Sequence, residues 1–163
     1  MTPQNIFNLH LAMGYVPWLL WFMAYGWPRL RTMEAVDAQR AIASLHAFRF
    51  LGLVFLVPGV VGMAIPQAFA APAAYGDFAT GVLAMVALAA IRIRPLFWLL
   101  VVAFNLVGFL DILNAYYHGV TSALPAGELG TGYFIVIVYV PILTITHLAA
   151  FYLLLARRSR AVA

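Results

Sequence analysis

Cysteine and lysine are both missing from this chain of 163 residues, and charged residues make up only 9% of it. Without Cys there is no disulfide, no thiolate metal site, no Fe–S cluster and no thiol nucleophile. Without Lys there is no Schiff base, which excludes a retinal pigment by chemistry alone. A soluble domain usually carries about a quarter charged residues and about half apolar ones. Here hydrophobic types reach 66% and the mean hydropathy is +0.99. That composition excludes an ordinary soluble globule, a disordered chain and a nucleic-acid binder with a solvated basic face. It leaves a small all-α polytopic membrane protein, a bundle of helices surrounded by lipid.

Several catalytic signatures are missing as well. H-E-x-x-H, G-x-S-x-G and the phosphate-binding Walker loop do not occur, nor does the Glu-x-x-His pair of di-iron bundles. Well-marked hydrolytic and phosphotransfer enzymes are set aside on that ground.

The apolar runs that are present predict five transmembrane helices, about 6–25, 41–65, 75–91, 95–117 and 132–156, within a single integral-membrane domain over 1–163. Each provides roughly 17 to 25 residues, enough to cross a hydrocarbon layer of about 30 Å. The third is the shortest and is made of small residues (FATGVLAMVALAA), which favour close contact with other helices or with a partner. The run 66–74 (PQAFAAPAA) reads as an interfacial loop, too rich in proline for a helix. Residues 28–40 read as an extension of helix two beyond the membrane, with Thr32 as its N-cap and Glu34 in its first turn.

The net charge is +4, and all nine basic residues are Arg. Arg29, Arg31 and Arg40 lie between helices one and two, Arg92 and Arg94 between three and four, and Arg157, Arg158 and Arg160 after helix five. Loops 66–74 and 118–131 have none. Such alternation predicts an N-terminus outside and a C-terminus in the cytoplasm. The N-terminus has no basic n-region or small-residue cleavage site, so helix one is expected to be retained.

Ionisable groups inside a membrane cost several kcal/mol and usually face the bundle interior, so they are the main guide to function. Counting about 1.5 Å per residue from each helix end puts Arg49, Asn105 and His147 in one layer about 12 to 15 Å deep, with His46 one turn nearer the cytoplasm. A second layer toward the outer face holds Asp111 and His10, with Asp77 at the start of helix three, as a cap or a site residue. Asn114, His118, Tyr116, Tyr117 and Tyr133 lie near this level. His10 and His118 read as surface residues, and Tyr116, Tyr117, Trp18, Trp21 and Trp27 as interfacial belt or packing residues. Arg49 reads equally as half of a structural ion pair or as a contact for an anionic group, and His147 as an interior hydrogen-bonding group or a ligand. Pro17, Pro58 and Pro141 fall within predicted helices, where each frees a carbonyl and can open a cavity.

The strings HAFRFLGLVFLVPG (46–59), PAAYGD (72–77), NLVGFLDILNA (105–115) and VPILTITHL (140–148) resemble a group of small uncharacterised bacterial polytopic membrane proteins. The resemblance implies that Arg49, Gly76–Asp77, Asn105, Asp111 and His147 form a site, and it implies no activity.

These readings predict an intramembrane polar site of Arg49, Asn105, His147, His46, Asp111 and Asp77 that binds an amphipathic molecule, namely a quinone, a lipid or haem b. In the haem form His46 and His147 are the axial ligands and Arg49 pairs a propionate. A non-catalytic accessory subunit of a larger membrane complex, a homo-oligomer and a small proton- or ion-coupled transporter are the alternatives. The setting is the bilayer of a cell membrane, that of a bacterial cytoplasmic membrane by the resemblance, with no nucleic acid involved.

Overall fold

A computed structural model describes the backbone of residues 1–162 and the side chains of residues 1–156. Every named element is helical: α1 (Pro3–Trp21), a π-helical turn (Phe22–Gly26), α2 (Trp27–Thr32), α3 (Ala35–His46), a 3₁₀ helix (Ala47–Leu56), α4 (Gln67–Ala89), α5 (Arg94–Thr121), a second 3₁₀ turn (Ala126–Leu129), α6 (Gly132–Phe134), a second π-helical turn (Ile135–Tyr139) and α7 (Val140–Val162). Among the described residues, four continuous helices are long and apolar enough to cross a membrane: Pro3–Thr32, Gln67–Ala89, Arg94–Thr121 and Gly132–Ala156.

The expected second helix, 41–65, is reorganised. Its helix starts earlier, at Ala35, changes to 3₁₀ geometry at Ala47 and stops at Leu56. Thr32 is not its N-cap. That hydroxyl ends the preceding helix by donating back to the Pro28 and Arg29 carbonyls, and Glu34 takes the N-cap position of α3. Pro58 accordingly lies in a loop beyond the helix.

The sequence itself explains the 3₁₀ segment. His46, Arg49, Gly52 and Phe55 recur every third residue, and all four are buried. At 3.6 residues per turn a three-residue step drifts by about 60°, so an α-helix would turn Phe55 to the face opposite His46. At three residues per turn the four stack in one stripe. That stripe lies against α4, whose buried Ala70, Ala73, Asp77, Gly81, Ala84 and Ala87 recur at helical spacing.

The Pro-rich run 66–74 is helical, contrary to expectation. Pro66 caps α4, its carbonyl accepting the Phe69 and Ala70 amides, and Pro72 sits inside. One lost backbone bond is outweighed because Phe69, Ala70, Ala73 and Ala74 all bury their side chains there.

Pro141 has no amide to bond the carbonyl four residues back, and the π-turn immediately precedes it. The loosened carbonyls of this stretch serve helix one. Trp18 donates to the Val138 carbonyl at 2.7 Å, and Gly14 lets α1 lie directly on the carbonyl of Ile137.

Two apolar clusters fill the interior. One, around Ile42, Ala84, Phe97, Val101, Phe104 and Ile145, is toward the end bearing Arg29, Arg40, Arg92 and Arg94. The other, around Phe7, Phe55, Phe69, Ala74, Leu124 and Leu129, is toward the opposite end. Most of the buried polar side chains lie between them, while Gln39 sits within the first cluster and donates to the Ala150 carbonyl.

Candidate functional site

Arg49 occupies the centre of the bundle with only 1% of its surface exposed. Its position on the 3₁₀ stripe aims the side chain between α4, α5 and α7. Nε donates to Oδ1 of Asp77 on α4 at 2.6 Å, and Nη2 to Oδ2 of Asp111 on α5 at 2.6 Å. Nη1 donates to the Gly108 carbonyl at 3.0 Å and to Nε2 of His147 on α7 at 3.1 Å. Four of the five guanidinium N–H groups are thereby used on three helices.

The proton positions follow from the partners. Arginine only donates, so Nε2 of His147 accepts, and its Nδ1–H donates to Oδ1 of Asn105 at 2.9 Å. The Asn105 amide in turn donates to the Val101 carbonyl at 2.8 Å. His147 is therefore a neutral imidazole held in one tautomer. The same bookkeeping fixes His46. The Thr146 hydroxyl gives its hydrogen to the Ile142 and Leu143 carbonyls, so it accepts from Nε2–H of His46 at 3.0 Å. The His46 and His147 rings touch, with centroids 4.0 Å apart and planes at 45°. Nδ1 of His46 and Oε1 of Gln39, seven residues apart on α3, are buried without a hydrogen-bond partner among the described residues.

Glycine makes the close approach possible at Gly108. A Cβ there would fall 2.6 Å from Nη1 of Arg49, from Nε2 of His147 and from Cγ2 of Thr80 at once. A Cβ on Gly76 would overlap Oδ1 of Asp111, and one on Gly52 would overlap the Asp77 carboxylate.

The two polar layers expected from depth are thus one cluster. Asn105 and Asp111 stand six residues, about 9 Å, apart along α5. The His147 ring reaches Asn105 while the long Arg49 side chain reaches Asp111. Asp77 is neither a cap nor a loop residue, because α4 begins ten residues before it. The expected offset between His46 and His147 is also absent, since α3 begins six residues earlier than the counted helix end. Asp111 pairs with Arg49.

His10 is exposed and bonds the Tyr133 hydroxyl at 2.9 Å, and His118 lies in the last turn of α5, both outside the cluster. The arginines at 157, 158 and 160 fall outside the residues whose side chains are described. Sequence reasoning missed Gln39, Thr80, Gly108, Thr146 and Tyr139, whose hydroxyl donates to the Leu45 carbonyl at 2.6 Å. Gln39 and Thr146 were legible in principle, as uncharged polar residues at helical spacing from His46 and beside His147.

Haem does not fit these residues. Two axial imidazoles stand on opposite sides of an iron, each nitrogen about 2 Å from it. Here the two rings are in direct contact, three of their four nitrogens are hydrogen-bonded, and Phe104 lies close to both rings. Among the described residues no group of His, Asp and Glu has metal-holding geometry.

A separate cavity of about 380 Å³ opens between α1 and α5 at the end away from the arginines, lined by Phe7, Leu11, Phe69, Ile112, Tyr116 and Leu124 among others. Gln4 and Asn8 supply polar groups in its wall. The Tyr15 hydroxyl donates to Thr144 at 3.2 Å, and Thr144 donates to the Val140 carbonyl. Tyr116, 2.7 Å from Tyr15, is therefore the donor of that pair and keeps free lone pairs beside the cavity.

Comparison with curated proteins and with solved structures gives no match. A domain of unknown function, DUF8737, matches residues 6–155, which takes in the whole Arg49 cluster and all the cavity lining but Gln4. The chain belongs to the DUF8737 family.

Proposed function

We propose that this protein crosses a cell membrane five times and binds an amphipathic molecule, a quinone or a lipid, in the cleft between α1 and α5. The fifth crossing is the broken helix. Its 12 α-helical and 10 3₁₀ residues rise about 18 Å and 20 Å, more than the ~30 Å needed to cross. Five crossings put the two chain ends on opposite sides. Arg29, Arg31, Arg40, Arg92 and Arg94 are all exposed at one end, which supports an orientation with that end in the cytoplasm and the N-terminus outside. The bacterial cytoplasmic membrane is the setting implied by the sequence resemblance.

The observation that carries the binding reading is the cavity. Its walls are largely apolar, its volume of about 380 Å³ suits a small ligand or one end of a long one, and Tyr116, Gln4 and Asn8 offer hydrogen bonds to a head group. The Arg49 guanidinium is 1% exposed and spends its hydrogen bonds on protein groups, so it braces the floor of the site instead of receiving the ligand. Ile112 and Ala115, in the α5 turn that follows Asp111, line the cavity and join the two regions.

Ala115→Trp fills the cleft with an indole and leaves the cluster untouched. Organic extraction of the protein purified in detergent and washed free of bulk lipid, followed by mass spectrometry, should yield a quinone or lipid at near one per chain from the wild type and several-fold less from the variant. Equal recovery from both proteins, or none from either, refutes the reading.

A further inference from the structure

Two carboxylates share one guanidinium at the centre of this bundle, and the count of charges does not close. Arg49 contributes +1, Asp77 and Asp111 contribute −1 each, and His147 is neutral by its hydrogen bonds. The groups facing the carboxylates from the remaining elements add nothing. His46 on α3 gives its Nε2–H to Thr146, Tyr139 of the π-turn gives its hydroxyl hydrogen to the Leu45 carbonyl, and Tyr15 on α1 gives its own to Thr144. With both carboxyls ionised the cluster holds one uncompensated negative charge between two apolar clusters. Such a charge is among the most unfavourable things a membrane interior can contain.

The geometry leaves a place for the missing positive charge. Arg49 engages one oxygen of each carboxyl, Oδ1 of Asp77 and Oδ2 of Asp111. The other two oxygens have no hydrogen-bond partner among the described residues; Oδ2 of Asp77 lies against Gly52 and Oδ1 of Asp111 against Gly76. The carboxyl side chains keep 12% and 8% of their surface accessible, whereas Arg49 keeps 1%.

We infer that the cluster is a binding site for one exchangeable proton, held by the Asp77–Asp111 pair as a unit. The proton comes from water and returns to it; one carboxylate becomes one carboxylic acid, and no other bond changes. Arg49 stays charged throughout, so it separates the carboxyl pair from the two imidazoles and blocks a direct proton path between them. This site is independent of what occupies the cleft.

Infrared spectroscopy of the full chain in lipid nanodiscs tests it, with thermal unfolding in parallel. The chain has five acidic residues; Glu34 and Asp37 are exposed at the start of α3 and Glu128 lies in the second 3₁₀ turn, so a buried carboxylic-acid band has two possible sources. The wild type should show one such C=O band that shifts in D₂O and disappears on alkaline titration. Asp77→Asn and Asp111→Asn should each abolish it, because either change already brings the cluster to neutrality. Both single variants should melt no lower than the wild type, and the double variant should melt lower because Arg49 is then unpaired. A wild type with no protonated carboxyl at any pH at which it is folded overturns the inference. So does a band that survives in either single variant, or single variants that both fail to fold. A sodium-dependent rise in melting temperature, measured against choline and without the band, assigns the site to a metal cation and overturns it equally.

Discussion

Replacing Arg49 by Met removes the side chain through which the 3₁₀ segment hydrogen-bonds to α4, α5 and α7. The side chain is of similar length and apolar, so little volume is lost and the effect is electrostatic. Two hydrogen bonds at 2.6 Å to carboxylates disappear, together with those at 3.0 Å to Gly108 and 3.1 Å to His147. Summing four such bonds at ~1.5–3 kcal/mol each would overshoot, because the unfolded chain partners some of these groups too. Breaking a buried pair by removing one partner costs about 3–5 kcal/mol, and that is the expected loss. Against a total stability of roughly 5–15 kcal/mol it is a large fraction. The absence of cysteine helps the assay, because a single Cys introduced at buried Ala84 reports unfolding by thiol labelling without background. Labelling in urea should show Arg49→Met exposing the site at far lower denaturant than the wild type. Adding Asp77→Asn and Asp111→Asn to Arg49→Met should recover about half the loss or more, since no carboxylate is then stranded. A single variant within about 1 kcal/mol of the wild type, or a triple variant no better than the single one, refutes the view that charge pairing at Arg49 holds these helices together.

Gly108→Ala should destabilise by about 1–3 kcal/mol or more through overpacking, whereas Gly127→Ala, with open space at its Cβ, should be near neutral in the same labelling assay. Asn105→Ala strands the Nδ1–H of His147, at about 1–3 kcal/mol, and a nitrogen-15 imidazole spectrum should show that the tautomer is no longer held. A reporter fused after Ala163 should read as cytoplasmic and one within 122–127 as external; the same side for both contradicts five crossings. Protein made with ample haem supply should be colourless, with no α-band in reduced-minus-oxidised spectra, because the imidazole rings of His46 and His147 are in contact and leave no place for an iron.

Composition alone led to the expectation of a helical membrane protein, because 66% hydrophobic residues with 9% charged ones leave far more apolar surface than is usual for a soluble domain. Hydropathic runs located the four continuous helices long and apolar enough to cross a membrane, since covering a fixed thickness of hydrocarbon demands a fixed length of apolar chain. The rarity of ionisable groups singled out Arg49, Asp77, Asn105, Asp111 and His147 before any coordinates. What depth counting along straight α-helices could not supply was how these residues meet. Two things defeated it: a helix that starts at Ala35 and tightens to 3₁₀ at Ala47, and an arginine long enough to bridge a helix turn and a half. Both depend on partners distant in sequence. The 3₁₀ stripe is set by packing against α4 as well as by its own three-residue repeat, and Pro72 stays inside a helix because the alanines around it are buried. The roles of Gly52, Gly76 and Gly108 were likewise invisible, because a missing side chain acquires meaning only when a charged group from another helix lies in its place. The cleft between α1 and α5 belongs to the tertiary structure for the same reason. Its α1 wall is set by Trp18 and Gly14, which seat that helix on the carbonyls of Val138 and Ile137 beside the π-turn.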